Sequence, residues 1–148
     1  MTREMPKRLV PPAPIGSMLK RFDAPAVRAK KREEAAHDPA YLEMVRACPC
    51  LYCGLEPCGE AAHVKMASAQ FGKPLRFGKK ADDRFALPLC REDHLNARHA
   101  QHKQSEHTFW DGIGIAPLPL AQKLYAKRGD LVAMRAVCLV AIAERSKK

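Results

Sequence analysis

The stretch Pro49-Cys50-Leu51-Tyr52-Cys53-Gly54, read with Leu89-Cys90-Arg91-Glu92-Asp93-His94, decides the fold. A Cys-x-x-Cys pair closes a tight turn around a soft metal ion, and Gly54 lets that turn close. Cys90 is the natural third ligand, because Leu87-Pro88-Leu89 delivers it from a strand to the start of a helix. The fourth position stays open at this stage. Asp93 lies three residues after Cys90, where Cys or His is usual, and Cys58, Cys48 and His94 compete with it. A tetrahedral zinc site is the expectation. Between the half-sites stand His63 and Asp82-Asp83, and after them a histidine-rich run, His94, His99 and His102. This order suggests a small zinc-stapled nuclease core with a second ion for phosphodiester chemistry.

The chain of 148 residues has room for one domain and tails. Its apolar fraction is inflated by alanine, and Trp110 is its one tryptophan. Such a modest core benefits from a metal staple. The six cysteines come with no secretory signal, so reduced thiols serving a metal are favoured over disulfides. The apolar run 136–143 is too short to span a bilayer, so the expected location is cytoplasmic, with no membrane partner. The net charge of +10 favours a polyanion, DNA or RNA, as partner.

Residues 1–37 read as a flexible basic arm broken by Pro6, Pro11, Pro12, Pro14 and Pro25. Such an arm either tracks phosphates or only aids solubility. Residues 38–127 read as the zinc-binding domain, and 128–148 as a C-terminal helix packed on it or extending from it. Asp38-Pro39 starts a helix that ends near Ala47 and buries Tyr41, Leu42 and Val45. Strands are expected over Ala61–Met66 and Arg84–Leu89, with a basic loop over 67–81. Helices are expected over Arg91–Gln104, Ala121–Lys127 and Leu131–Arg145, the last capped by Asp130 with Leu131, Met134, Cys138 and Ile142 on one stripe.

Phosphodiester hydrolysis needs a base, a cation and a group that holds the base in line. His63 is the candidate base. His94 could bind the cation, with His102 two helical turns later on the same helix side and Asp82 or Asp83 joining the metal or orienting the base. Lys65, Arg76, Lys79 and Lys80 are the candidate phosphate contacts.

Segment 38–124 resembles a phage and prophage family of HNH nucleases, which includes a recombination-enhancing nuclease. The resemblance rests on Tyr41-Leu42-Glu43-Met44-Val45-Arg46, the Cys50–Cys53 knuckle, Ala61-Ala62-His63-Val64-Lys65, Ala81-Asp82-Asp83-Arg84-Phe85, Pro88-Leu89-Cys90-Arg91-Glu92-Asp93-His94 and Glu106-His107-Thr108-Phe109-Trp110. It implies an α+β fold: a zinc-stapled ββα-metal core of HNH or treble-clef type with flanking helices. It also implies His63 as general base, Asp83 in the middle place of the HNH triplet and His94 as ligand of a catalytic Mg²⁺, Mn²⁺ or Zn²⁺. The implied activity is DNA endonuclease, with recombination proteins as further partners in a bacterial host cell. The chain departs from the pattern at Ala62, where many HNH motifs carry a metal-binding Asp or His, and at Asp93. Those departures favour the alternative of a non-catalytic, zinc-stapled DNA-binding accessory protein.

Overall fold

A computed structural model describes residues 36–73 and 81–145. The basic arm up to residue 35, and with it Arg76, Lys79 and Lys80 of the basic loop, lie outside the described residues.

The fold is mixed α+β. Helix α1 spans Pro39–Ala47, strand β1 Gly59–His63 and strand β2 Ala86–Cys90. Helices α2 (Glu106–Ile113), α3 (Pro117–Tyr125) and α4 (Leu131–Arg145) complete the order. Among the described residues the sheet has two antiparallel strands, pairing Gly59 with Cys90, Glu60 with Leu89, Ala62 with Leu87 and His63 with Ala86.

Local chemistry explains these elements. Asp38 caps α1 by accepting from the Tyr41 amide at 3.0 Å, and Pro39 supplies a preset φ at the first turn. Asp130 likewise accepts from the Ala133 amide at the start of α4, at 3.0 Å. Ser105 caps α2 through the Thr108 amide, and Gly114 ends it in the left-handed region at φ 70°. This helix was not anticipated, although its cap and closing glycine are both legible in the sequence.

All of β2 is buried between α1 and the later helices. Tyr41 and Val45 pack from α1, and the Tyr41 hydroxyl donates to the Ala86 carbonyl at 3.2 Å. Leu120, Ala121 and Leu124 come from α3, and Met134 and Cys138 from α4. Each fully buried side chain such as Leu87 or Leu89 contributes about 1.5–3 kcal/mol. Phe109 and Trp110 are core residues, their rings edge to face at 5.0 Å.

Four expectations shift. The first is α3, which runs over Pro117–Tyr125 where Ala121–Lys127 was expected, because Pro117 supplies a preset φ for its first turn. Strand β1 begins at Gly59, ahead of Ala61, and ends at His63. Val64 still donates to Phe85, but the Lys65 and Met66 amides turn to the Glu106 carboxylate at 2.8–3.0 Å. The second strand begins at Ala86, because Asp82 accepts from the Arg84 amide and caps a 3₁₀ turn over Asp83–Phe85. A helix over Arg91–Gln104 does not form. The chain makes a π-type turn over Glu92–Asn96, closed by Ala97 N–H on the Glu92 carbonyl, and then a 3₁₀ turn over Gln101–Lys103. Asp93 points back at the cysteines and His99 back at Asp93, which a straight helix would not allow.

Candidate functional site

The Cys50–Cys53 turn is set by backbone bonds. Gly54 donates to the Cys50 carbonyl at 2.8 Å, with φ 79° at Gly54 that suits glycine. Cys50 donates to Leu55 at 2.8 Å, and Leu51 donates to Pro88 at 3.1 Å, which ties the turn to β2. Cys90 at the end of β2 then sits against it, its amide donating to Cys50 Sγ at 3.2 Å.

Cys50, Cys53, Cys90 and Asp93 offer four ligand atoms, all within 4.8 Å of one another, which could hold a metal ion. Asp93 Oδ2 lies 3.0 Å from Cys90 Sγ and 3.3 Å from Cys50 Sγ, and Cys53 Sγ is 3.7 Å from Cys90 Sγ. Asp93, of the candidates for the fourth position, is the one that joins this cluster. Cys58 is turned away, its Sγ within 3.2–3.5 Å of the carbonyls of Glu60, Val45 and Arg46, and burial pushes its thiol up to about 11. Cys48 pairs with Cys138 in the core. The donor set fits a cation on its own chemistry. Burial and the Asp93 carboxylate push the Cys90 thiol up to about 11, and burial raises Cys50 further, so thiolates at neutral pH need a neutralising ion there.

The opposite end of the hairpin carries the second group. His63 Nε2 is 2.9 Å from Asp83 Oδ1, and the His63 side chain keeps 27% of its surface exposed. Asp83 is buried. Its other oxygen accepts from the Asp38 amide at 2.9 Å and faces His37 Nδ1 at 3.1 Å, while its own amide donates to Ala36 at 3.1 Å. Burial alone would raise the Asp83 carboxyl, but His63, the Asp38 amide and His37 outweigh it and hold the group below the usual carboxylate range. An ionised Asp83 accepts, so His63 donates to it through Nε2.

A third group lies near the Cys90 end. His94 Nδ1 is 2.6 Å from Glu60 Oε2, and the His102 ring meets the His94 ring edge-on at 4.8 Å between centroids. Gln101, next to His102, donates to the His63 carbonyl at 3.5 Å and to Glu106 at 3.2 Å. Glu60, Glu106 and His37 were missed by sequence reasoning. Their roles depend on strand register and on contacts distant in the chain. Asp82 was expected beside His94 and His102, but it is bound to Arg84 Nη2 at 2.6 Å and to Arg84 Nε at 3.0 Å. Among the described residues, the thiolate–carboxylate group is the one set of three or more such ligand atoms that converges. Lys65 is exposed, in range to disfavour a charge on His102, whose pKa is lowered by burial, His94 and Lys65 in that order.

No helix among the described residues is long and apolar enough to cross a membrane. No curated protein and no solved structure matches the chain. A family model matches residues 23–116, a span that takes in every site residue named above and stops short of α3 and α4. The chain belongs to that family, described as protein of unknown function (DUF968).

Proposed function

We propose that the protein is a metal-dependent HNH endonuclease that hydrolyses DNA phosphodiester bonds, in phage or prophage recombination or DNA processing in the cytoplasm of the host. The observation that carries this reading is His63, about a quarter open to solvent and held through Nε2 by a buried, ionised Asp83. The same arrangement prepares an imidazole to take a proton from water at Nδ1. The thiolate set suits zinc, whose preference for sulfur and tetrahedral geometry matches three cysteines and one carboxylate. In this reading the zinc staples the hairpin as a ββα-metal core, and Cys90 and Gly59 mark its metal end.

His63 deprotonates a water aligned with phosphorus, and Asp83 stabilises the imidazolium that results. A divalent cation beside His94, Mg²⁺, Mn²⁺ or Zn²⁺, would supply charge to offset the negative charge on the phosphoryl and leaving oxygens. Lys65 and the excess of basic residues draw in the phosphates. Recombination proteins are the further partners this reading implies.

The test is plasmid nicking with Mg²⁺ or Mn²⁺, comparing wild type with His63→Ala. Cleavage that the substitution abolishes supports the reading, and no cleavage by wild type under either ion ends it. A second reading, a DNA-binding module without cleavage, draws on Ala62, which is buried and has no donor atom. Gel-shift binding by a wild type that does not nick would favour it.

A further inference from the structure

Helix α4 is apolar on its outer side as well as its inner one. Met134 and Cys138 face the core, while Val132, Leu139 and Val140 keep 75%, 50% and 55% of their surface exposed. Ala136 and Ala143 are exposed between them. Residues 132, 136, 139 and 143 recur at the alternating four- and three-residue steps of a helix–helix seam. Two of the charged side chains of α4 turn away from this stripe. Arg135 bonds Glu56, and Arg145 bonds the Leu51 carbonyl, both on the chain's own domain. A helix that is apolar all round is normally covered on every side. Beside the stripe a groove of about 360 Å³ runs between α3 and α4, walled by Leu120, Ala133, Val137 and Ala141, with exposed Lys123 along its α3 side. Exposed Lys127 stands where the two helices join, and exposed Glu144 stands at the far end of α4. Neither has an ion-pair partner among the described residues.

We infer that a second copy of the chain docks on this face, with the two α4 helices antiparallel across a two-fold axis. A two-fold contact is self-complementary, and here a ridge of Val132 and Leu139 lies beside an alanine-walled groove on one surface. Antiparallel pairing exchanges the ends of the groove, so Lys127 meets the partner's Glu144 and Glu144 meets the partner's Lys127. The α4 stripe between those ends holds no charge, which leaves it no handle for a phosphate backbone. Helices α3 and α4 of both copies then form a four-helix layer that covers the apolar stripe. Both helices begin after residue 116, where the family match ends, and carry none of His63, Asp83 and His94. The pairing therefore stands apart from the nuclease reading.

The experiment is analytical ultracentrifugation of the full chain up to roughly 100 μM, which reaches contacts at the small end of the interface range. Wild type is expected to form a dimer. Leu139→Glu is expected to weaken it roughly 100-fold or more, because it sets an unpaired charge in an apolar contact. Circular dichroism should not change, since Leu139 is half exposed in the single chain. Lys127→Glu and Glu144→Lys should each weaken the dimer roughly 3- to 10-fold, and the double reversal should restore it. A wild type that stays monomeric overturns the proposal and leaves the face to a different protein or to the chain's own first 35 residues. A dimer that survives Leu139→Glu also overturns it, by placing the contact elsewhere. Single reversals that weaken nothing, or a double reversal that restores nothing, overturn the antiparallel two-fold.

Discussion

His99 Nε2 lies 2.7 Å from Oδ1 of Asp93, the oxygen that faces away from the cysteines. The carboxylate is thus held from behind while Oδ2 meets Cys50 and Cys90. The His99 ring in turn stacks on Tyr52, inside the knuckle, at 4.3 Å. Partners of this kind orient a ligand and tune its affinity. His99→Ala is expected to weaken metal binding roughly 10- to 100-fold. Competition against a coloured chelator measures this, and a Co²⁺-loaded sample should keep its thiolate absorption bands.

Cys90 belongs to the cluster that could hold a metal and also ends β2, faces Gly59 and anchors the turn to Asp93. Cys90→Ser is expected to lose the ion. A metal present at a thousand times its Kd adds about 4 kcal/mol to stability. The melting temperature should therefore fall by roughly 15 °C or more, and adding a chelator to wild type should reproduce the drop. A melt that ignores both changes would exclude a stapling role.

Asp83→Asn keeps the shape of the side chain and removes its charge. The amide cannot accept at both oxygen positions, so one of His63, His37 and the Asp38 amide loses its partner. The expected cost is about 1–3 kcal/mol in urea unfolding. DNA cleavage should fall by about 10²- to 10⁴-fold, because the imidazole loses both its tautomer and its counter-charge.

The same carboxyl sets an acid limit. Its folded pKa lies below its unfolded value, so the unfolded chain binds its proton first as pH falls. The stability it contributes is complete above the ordinary carboxyl range and is lost as pH drops through the folded value. The difference in unfolding free energy between wild type and Asp83→Asn should shrink as pH falls below about 4. Urea melts of both proteins across that range check the sign, since loss of metal affects the two alike.

Binding to DNA should weaken steeply with salt, as phosphate contacts release counterions. Lys65→Ala is expected to lower the slope of log affinity against log salt by about one, without changing sequence preference. A slope that does not move removes Lys65 from the phosphate path.

Elements set by neighbouring residues were legible from the chain. Asp38-Pro39 marked the start of α1, and α4 runs over the same residues as expected, Leu131–Arg145. The cysteine spacing named three of the four residues whose ligand atoms could hold a metal, and Asp93 stood among the candidates for the fourth. Features set by pairing distant segments were not legible. A helical pattern over Arg91–Gln104 yields to two short turns because Asp93 and His99 must both reach the knuckle. Glu60 looked like an ordinary strand residue until the Gly59–Cys90 register set it against His94. Asp82 and Asp83, equivalent on paper, separate because a capped 3₁₀ turn sends one to Arg84 and the other to His63.

Ala36, His37 and Asp38, assigned in part to the arm by composition, are stitched to Asp83 by three hydrogen bonds. That seam makes residues 36–38 part of the frame that holds the His63 imidazole. Trimming the chain to Pro39 removes all three bonds and should slacken that hold.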